Sequence, residues 1–462
     1  MIRAYPDRSS VLPGRTLTLH VSTDKPLFRV EFFRQGQTLD KKATSAWMPG
    51  QDVANKPVDQ DWEWPSYDFE IGEDWPSGAY VAVLTEGDEQ GNRITTPDLS
   101  TADGRDARAL FVVRSSTPGS SASILYKLST STFHAYNFAG GASIYEDPPE
   151  SLVPPGHKVT LHRPGGGTGA EVPGGAQHAD YYDPESPPQT FQHWDVPLIC
   201  WLEANRYQVD YCTDLDIHTD FNFLRHYSLL ISTGHDEYWS EGMRHHVEKF
   251  IEDGGNVAFF SGNTCFWRIH YVDNNTALVT DKSGPAGTAG DQWWAPNGAA
   301  DPEDSLTGVS YRNAGGQWSG QRESVGYRVQ HADHWLFEAT GLKNGDFIGK
   351  DSIPPLVGYE CDGALLRDTP DAEGFAVPAY KHGTPATFIA LGIGRFSTHW
   401  QDEPPREDFD AFQGIHAATM GVYRNNGTVF TAATTDWAKV LASGGDPSVD
   451  RITHNILNRL GG

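Results

Sequence analysis

The sequence predicts two domains of different class: an all-β domain over residues 1–117 and an α/β domain with long loop insertions over 118–462. Three observations predict this. A chain of 462 residues is too long for one core. Up to about residue 115, apolar and polar residues alternate in short runs separated by turn formers, whereas beyond about residue 123 strand-like and helical runs take turns. Between the two stretches lies Ser115-Ser116-Thr117-Pro118-Gly119-Ser120-Ser121, which holds no apolar residue and reads as a linker.

In the first domain, residues 16–21, 28–33, 79–84 and 110–113 are the alternating runs. Pro13-Gly14, Pro49-Gly50 and Pro76-Ser77-Gly78 supply turns between them. Regular turns and period-two alternation predict an immunoglobulin-like β-sandwich. In the second domain, residues 123–128, 208–212, 227–232, 256–260 and 428–432 read as strands. Residues 196–205, 240–252 and 448–460 read as helices, the middle one capped by Ser240 and ended by Gly254-Gly255. That order predicts a parallel sheet with helices on both faces. Residues 148–188, apart from the strand-like run 157–161, and residues 285–320 read as loop, and loops this long are usually functional.

Charge and cysteine usage exclude several classes. Lys and Arg number 35 against 61 Asp and Glu, a formal net charge of −26. A surface this acidic repels phosphate backbones and anionic lipid, so neither nucleic acid nor membrane is an expected partner. Cys200, Cys212, Cys265 and Cys361 form no C-x-x-C pair, which argues against a zinc ribbon or a thioredoxin-like motif. The first residues carry no signal-peptide core, and a cytoplasmic location is expected.

In an open parallel sheet, ligands bind at the carboxyl ends of the strands. Two predicted strand ends carry unusual polar residues: Gly234-His235-Asp236-Glu237-Tyr238-Trp239-Ser240 and Gly262-Asn263-Thr264-Cys265. The bland reading of the first is a capping, solvent-facing loop. Its run of titratable groups exceeds what a turn needs. His245-His246, mid-helix on a charged face, reads as solvated surface.

These blocks resemble the large (beta) subunit family of N,N-dimethylformamidase. Tyr136-Asn137, Gly140-Gly141, Ser143 and Tyr145 match one block, and the two strand ends match others. So do Gly358-Tyr359-Glu360-Cys361-Asp362, Thr434-Thr435-Asp436-Trp437 and, near the start, Tyr5-Pro6 with Ser10-Val11-Leu12-Pro13-Gly14. The resemblance implies a class I glutamine amidotransferase-like (flavodoxin-like) second domain. It also implies hydrolysis of a small amide by one mononuclear iron, Fe³⁺, held by two tyrosines and a glutamate. Tyr136 and Glu237 match two of those ligands. The second tyrosine is expected after an Arg-Pro pair, yet Arg163-Pro164 is followed here by Gly165. Tyr182, with Tyr181 as its alternative, is the candidate that fills the gap. His235, Asn263 and Glu360 match polar groups around the iron, the first and last as proton carriers and Asn263 as donor to an oxyanion. The resemblance allows for a small partner subunit or a homo-oligomer.

Two rival readings follow from the residues. Cys265 sits after a strand, as in cysteine-dependent amidotransferase-like enzymes, but without the flanking glycines of a nucleophile elbow. Alternatively, Trp293-Trp294 and Trp318 in loop-like sequence would suit a non-catalytic protein that binds carbohydrate or another protein.

Overall fold

The computed structural model describes residues 1–94, 105, 107–144, 158–169, 180–282, 290–318, 320–395, 415 and 417–462. Tyr145, His157 and parts of the two long predicted loops lie outside the described residues. Among the described residues no helix is long and apolar enough to cross a membrane.

The N-terminal part contains two sheets. One is three-stranded, in the order Arg3–Pro6, Thr16–Ser22, Ser66–Glu70. The other runs Ser10–Val11, Arg108–Val113, Gly78–Gly87, Leu27–Gln35, Leu39–Thr44, with Met48–Pro49 beside Leu27–Gln35. Their alternating apolar residues meet: Leu17, Leu19 and Val21 share one core with Phe28, Val30, Phe32, Tyr80, Leu84 and Phe111. Period two places these side chains on a single face.

Strand Gly78–Gly87 is buried along its whole length. Its other face, Ala79, Val81 and Val83, joins Leu110 and Val112 in the core of the α/β part, with Ile124, Tyr126, Leu198 and Tyr211. The two parts are thus joined by apolar packing, and Ser77 Oγ accepts the backbone N–H of Tyr211 at 2.8 Å. Each fully buried valine or leucine on this strip contributes about 1.5–3 kcal/mol. The linker itself is open, with Ser116, Thr117, Ser120 and Ser121 exposed. Limited proteolysis is therefore expected to cut at 115–121 and leave two fragments that co-elute in size exclusion without denaturant. Separation of the nicked fragments in native buffer would show that the strip contributes little.

The larger part is built on a nine-stranded sheet. Its first five strands are parallel, in the order Val209–Thr213, Ile124–Leu128, Leu229–His235, Asn256–Gly262, Gly427–Thr431. The antiparallel strands Ala418–Asn425, Ile389–Gly394, Tyr327–Val329 and Phe347–Ile348 extend it, so the sheet is mixed where a parallel one is predicted. Helices cover both faces, as expected. Tyr126, Ile231, Ala258 and Phe260 point to the side of Val196–Ala204, Trp437–Ser443 and Pro447–Leu460. Leu125, Leu230, Val257 and Phe259 point to the side of Glu241–Glu252. Ser240 caps that helix by accepting the Met243 N–H. The stretch 285–320 is not simply loop, since it contains a short helix, Asp304–Thr307, and strand Ser310–Gly316.

Candidate active site

Strands Leu229–His235 and Asn256–Gly262 are adjacent and parallel, with His235 opposite Gly262. Their carboxyl ends therefore open at the same edge. Gly234 has φ +65°, and a Cβ there would lie 2.4 Å from Trp194 Cβ. A Cβ on Gly262 would lie 2.5 Å from the Glu360 carbonyl oxygen and 2.8 Å from the Thr435 backbone nitrogen. Glycine at these two positions lets neighbouring chain segments close on the site.

The turn after the first strand is braced from below. Lys127 Nζ lies 2.6 Å from Asp214 Oδ1 and 2.7 Å from Asp236 Oδ1, with all three side chains fully buried. Burial alone would lower the lysine, but the two carboxylates outweigh it and hold it well above its ordinary range. Trp239 donates its indole N–H to the same Asp236 at 3.0 Å. Thr132 Oγ1 accepts the backbone N–H of Glu237 at 3.0 Å, which ties the turn to helix Thr130–Tyr136. That helix carries Tyr136 in its last position. Buried Arg163 holds the end of the helix and the chain beside it, donating to His134 O and Asn137 O at the helix end and to Ala139 O, Ala142 O and Thr160 O beyond it. Burial without a carboxylate partner pushes Arg163 down to about 9. A cation at a helix C-terminus also meets the negative end of the helix dipole.

Five of the predicted side chains meet. The Tyr136 hydroxyl donates to Glu237 Oε2 at 2.8 Å. His235 Nε2 lies 3.3 Å from the same oxygen and 2.7 Å from Glu360 Oε2. Asn263 Nδ2 reaches His235 Nε2 at 3.3 Å and Glu360 Oε2 at 3.5 Å. Its Oδ1 is buried without a hydrogen-bond partner. Asn263 has φ +48°, and its N–H donates to the Asp362 carboxylate at 3.0 Å, which holds the strained turn. Burial would lower His235, but the charges of Glu360 and Glu237 override it and hold the imidazole above its usual value.

Other candidates lie apart. The Tyr182 hydroxyl donates to the Arg322 carbonyl at 3.4 Å, and its ring lies under the Arg322 guanidinium. Tyr181 is 57% exposed. Neither joins the cluster around Glu237. Gly165 has φ +90°, a conformation that side-chain-bearing residues avoid, so a tyrosine at this position would need a different loop path. Cys265 is fully buried, and burial pushes its thiol far up, which keeps it protonated and a poor nucleophile. Trp293 is buried beneath Arg244 and Trp294 lies beneath Arg312, so this pair offers no open platform for a sugar ring.

Three site residues are not predicted as such by the sequence. Trp318 donates its indole N–H to Glu360 Oε1 at 2.8 Å. Gln189 Oε1 sits 2.5 Å from His235 Nδ1. Lys282 Nζ donates to the Tyr238 hydroxyl at 2.9 Å and lies 4.4 Å from the Trp267 ring centroid. Burial lowers it to about 7 against the opposing pull of Glu237 and Glu360. All three come from irregular sequence, where only a run without periodicity could have drawn notice.

Among the described residues, no group of three or more His, Cys, Asp or Glu converges as metal ligands. Beside the Glu237 carboxylate lies an oxygen of another kind, the Tyr136 phenol at 2.8 Å. Phenolate and carboxylate are hard, anionic oxygen donors, and their chemistry suits a hard trivalent ion better than zinc.

An open sheet with convergent acid, base and amide groups at its strand ends defines the class: an α/β protein with an enzyme-like polar centre. The family described as "N,N-dimethylformamidase beta subunit-like, C-terminal" matches residues 27–451, and the chain belongs to it. It is 22% identical over 297 residues to the N,N-dimethylformamidase beta subunit of Alcaligenes sp, covering 58% of this chain and 37% of that protein. It is 23% identical over 300 residues to that of Paracoccus aminophilus, with the same coverage. The matched region thus spans little more than a third of these relatives' length.

Proposed function

We propose that this chain carries the active site of a hydrolase for a small amide. The observation that supports this most is the meeting of Tyr136, His235, Glu237, Asn263 and Glu360 at the carboxyl ends of parallel strands. The relatives are named for acting on N,N-dimethylformamide and as beta subunits, which supports a small, unhindered amide and an assembly with a further subunit. On this reading the N-terminal sheets are an immunoglobulin-like sandwich, and the remainder is an amidotransferase-like domain beginning at about 118.

Tyr136 and Glu237 would hold Fe³⁺, which supplies Lewis-acid polarisation of a carbonyl when bound. The chain's own groups supply the rest. Asn263 Nδ2–H, which faces His235 and Glu360 here, would donate to the oxygen that becomes negative as the carbonyl carbon turns tetrahedral. His235 Nε2 can take the proton of the attacking water. Glu360, in contact with the same nitrogen, relays a proton to the departing amine. Trp318 fixes the other Glu360 oxygen and leaves Oε2 for proton transfer.

The test reads metal and colour before activity. Protein purified from iron-supplied cells should hold about one iron per chain and absorb in the visible through tyrosinate charge transfer, which zinc cannot give because its d shell is full. Tyr136→Phe should keep the fold and lose the colour. A wild-type chain without iron, or a Tyr136→Phe variant with full colour, overturns the ligand assignment.

A further inference from the structure

We propose that the cavity between the two parts of the chain binds a small monocarboxylate with an apolar body, about the size of benzoate. The inference stands apart from the amide-hydrolase reading: Tyr136, His235, Glu237, Asn263 and Glu360 do not line this cavity.

The cavity follows from how the two parts meet. Its volume is about 250 Å³. One wall comes from the N-terminal part, from residues 4–9 and from strand Arg108–Val113. The other comes from the α/β part, chiefly from helix Thr130–Tyr136 and from residues 161–166. Leu110, Leu128, Phe133, Leu161 and Leu215 give it an apolar side. An apolar cavity of about 150 Å³ holds benzene, so this one has room for such a ring and a head group.

Charge selects the head group. Ala109, Phe111 and Val113 face the core of the N-terminal sheets, whereas Leu110 and Val112 face the α/β part. Period two therefore places Arg108 on the face of Leu110, toward the cavity it lines. Arg163 lines the same space and spends its N–H donors on backbone carbonyls. Among the described residues no carboxylate pairs with Arg163. Asp7 is the one acid among the described lining residues, and it already pairs with Arg8 at 2.7 Å. A chain with a formal net charge of −26 thus sets two further guanidiniums beside an apolar space. Burial pushes both down, Arg108 to about 10 with help from neighbouring Arg105, and Arg163 to about 9. An anion placed between them opposes that penalty, and more strongly than it would in water. His134 also lines the cavity, and its Nδ1 is buried with no hydrogen-bond partner among the described residues. Buried polar atoms are rarely left so, which points to a polar ligand atom at that wall. Inorganic phosphate would leave the leucine side bare, and a plain hydrocarbon would leave the guanidiniums unmet.

The ligand would sit behind the helix and not in front of it. Thr130, Phe133 and His134 line the cavity, whereas Thr132 and Tyr136 of the same helix contact residue 237. Residues four apart share a helix face, so the two sets lie on different sides.

The experiment is calorimetric titration of the full chain with sodium benzoate, beside benzyl alcohol as an uncharged probe of similar shape. One benzoate should bind per chain. Benzyl alcohol should bind about 10–100-fold more weakly, the range set by a hydrogen bond to a charged group. Arg108→Met should weaken benzoate by a similar factor and leave benzyl alcohol little changed. Leu161→Phe and Leu215→Phe each grow a half-buried lining side chain into the space. Both should abolish binding of either probe while the thermal midpoint stays near wild type. Glu237→Ala, at the polar centre, should bind benzoate as wild type does. Binding that is lost in Glu237→Ala and kept in both phenylalanine variants would place benzoate at the polar centre and overturn the inference. Titration of wild type without saturable heat would overturn it too, and equal affinity for the two probes would overturn the anionic class. Calorimetry reads binding alone, so a protein that binds benzoate this way and hydrolyses no amide would keep this inference and lose the hydrolase reading.

Discussion

Replacing Lys127 by methionine should destabilise the protein by about 3–5 kcal/mol, the usual cost of removing one partner from a buried ion pair. The two carboxylates it joins, Asp214 and Asp236, are fully buried at 2.6 and 2.7 Å from its ammonium. Without the lysine they face each other across an apolar strand, and at least one must take up a proton. Methionine keeps roughly the volume but loses the ammonium that lies 4.9 Å from the Trp239 ring centroid, so the loss reports charge and not a cavity. Typical domains hold only about 5–15 kcal/mol in total, so the effect is large. A shift in urea midpoint equivalent to the predicted loss should be partly recovered by adding Asp214→Asn, because that change removes one uncompensated charge. A Lys127→Met protein with an unmoved midpoint would mean the brace does not hold the turn. The same variant should also lose activity, since Asp236 stands between His235 and Glu237.

Glu360→Gln should lower kcat by about 10²–10⁴-fold, the range for loss of a positioned acid or base. The variant keeps the size of the side chain and an oxygen to accept the Trp318 N–H. What it loses is the basic oxygen 2.7 Å from His235 Nε2. Iron content and thermal stability should stay near wild type, because Glu360 is not among the proposed ligands. Full activity in this variant would remove Glu360 from the proton path while leaving the roles of Tyr136 and Glu237 untouched.

The part of the site legible in the sequence is the part built from neighbours on the chain. A buried strand followed by a polar, glycine-containing turn marks both His235 and Asn263, and the parallel pairing that joins them follows from the strand order. Tyr136, Glu237 and Glu360 are assigned roles only by the family resemblance, and the chain brings them to the same place. Gln189 and Lys282 are not legible, and Trp318 is legible only as a tryptophan in a loop, suited to a binding platform and not to Glu360. Each arrives from a loop with no period to read, and what makes it part of the site is a contact with a residue far along the chain. Tyr182 shows the reverse error of locality: it lies in the expected stretch, yet Arg322 engages it elsewhere. In the antiparallel extension of the sheet, the two outer strands are only two and three residues long and leave no pattern, but Ala418–Asn425 and Ile389–Gly394 are eight and six residues long, so length does not explain their absence from the sequence reading. Burial of both faces of Gly78–Gly87 did leave a signal. Grouped above with the alternating runs, Ala79-Tyr80-Val81-Ala82-Val83-Leu84 is in fact continuously apolar, and such a run marks a strand covered on both sides.

That doubly covered strand sets a problem of timing. During synthesis, Ala79, Val81 and Val83 leave the ribosome well before Tyr211, against which their face packs in the finished protein. At about 5–20 residues per second, the strip stays bare for on the order of ten seconds. The N-terminal sheets can pair during that interval, yet they present a sticky apolar stripe to every passing chain. Successful folding in the cell therefore depends on shielding, until its partner is made, the very strip that joins the two parts of the finished molecule.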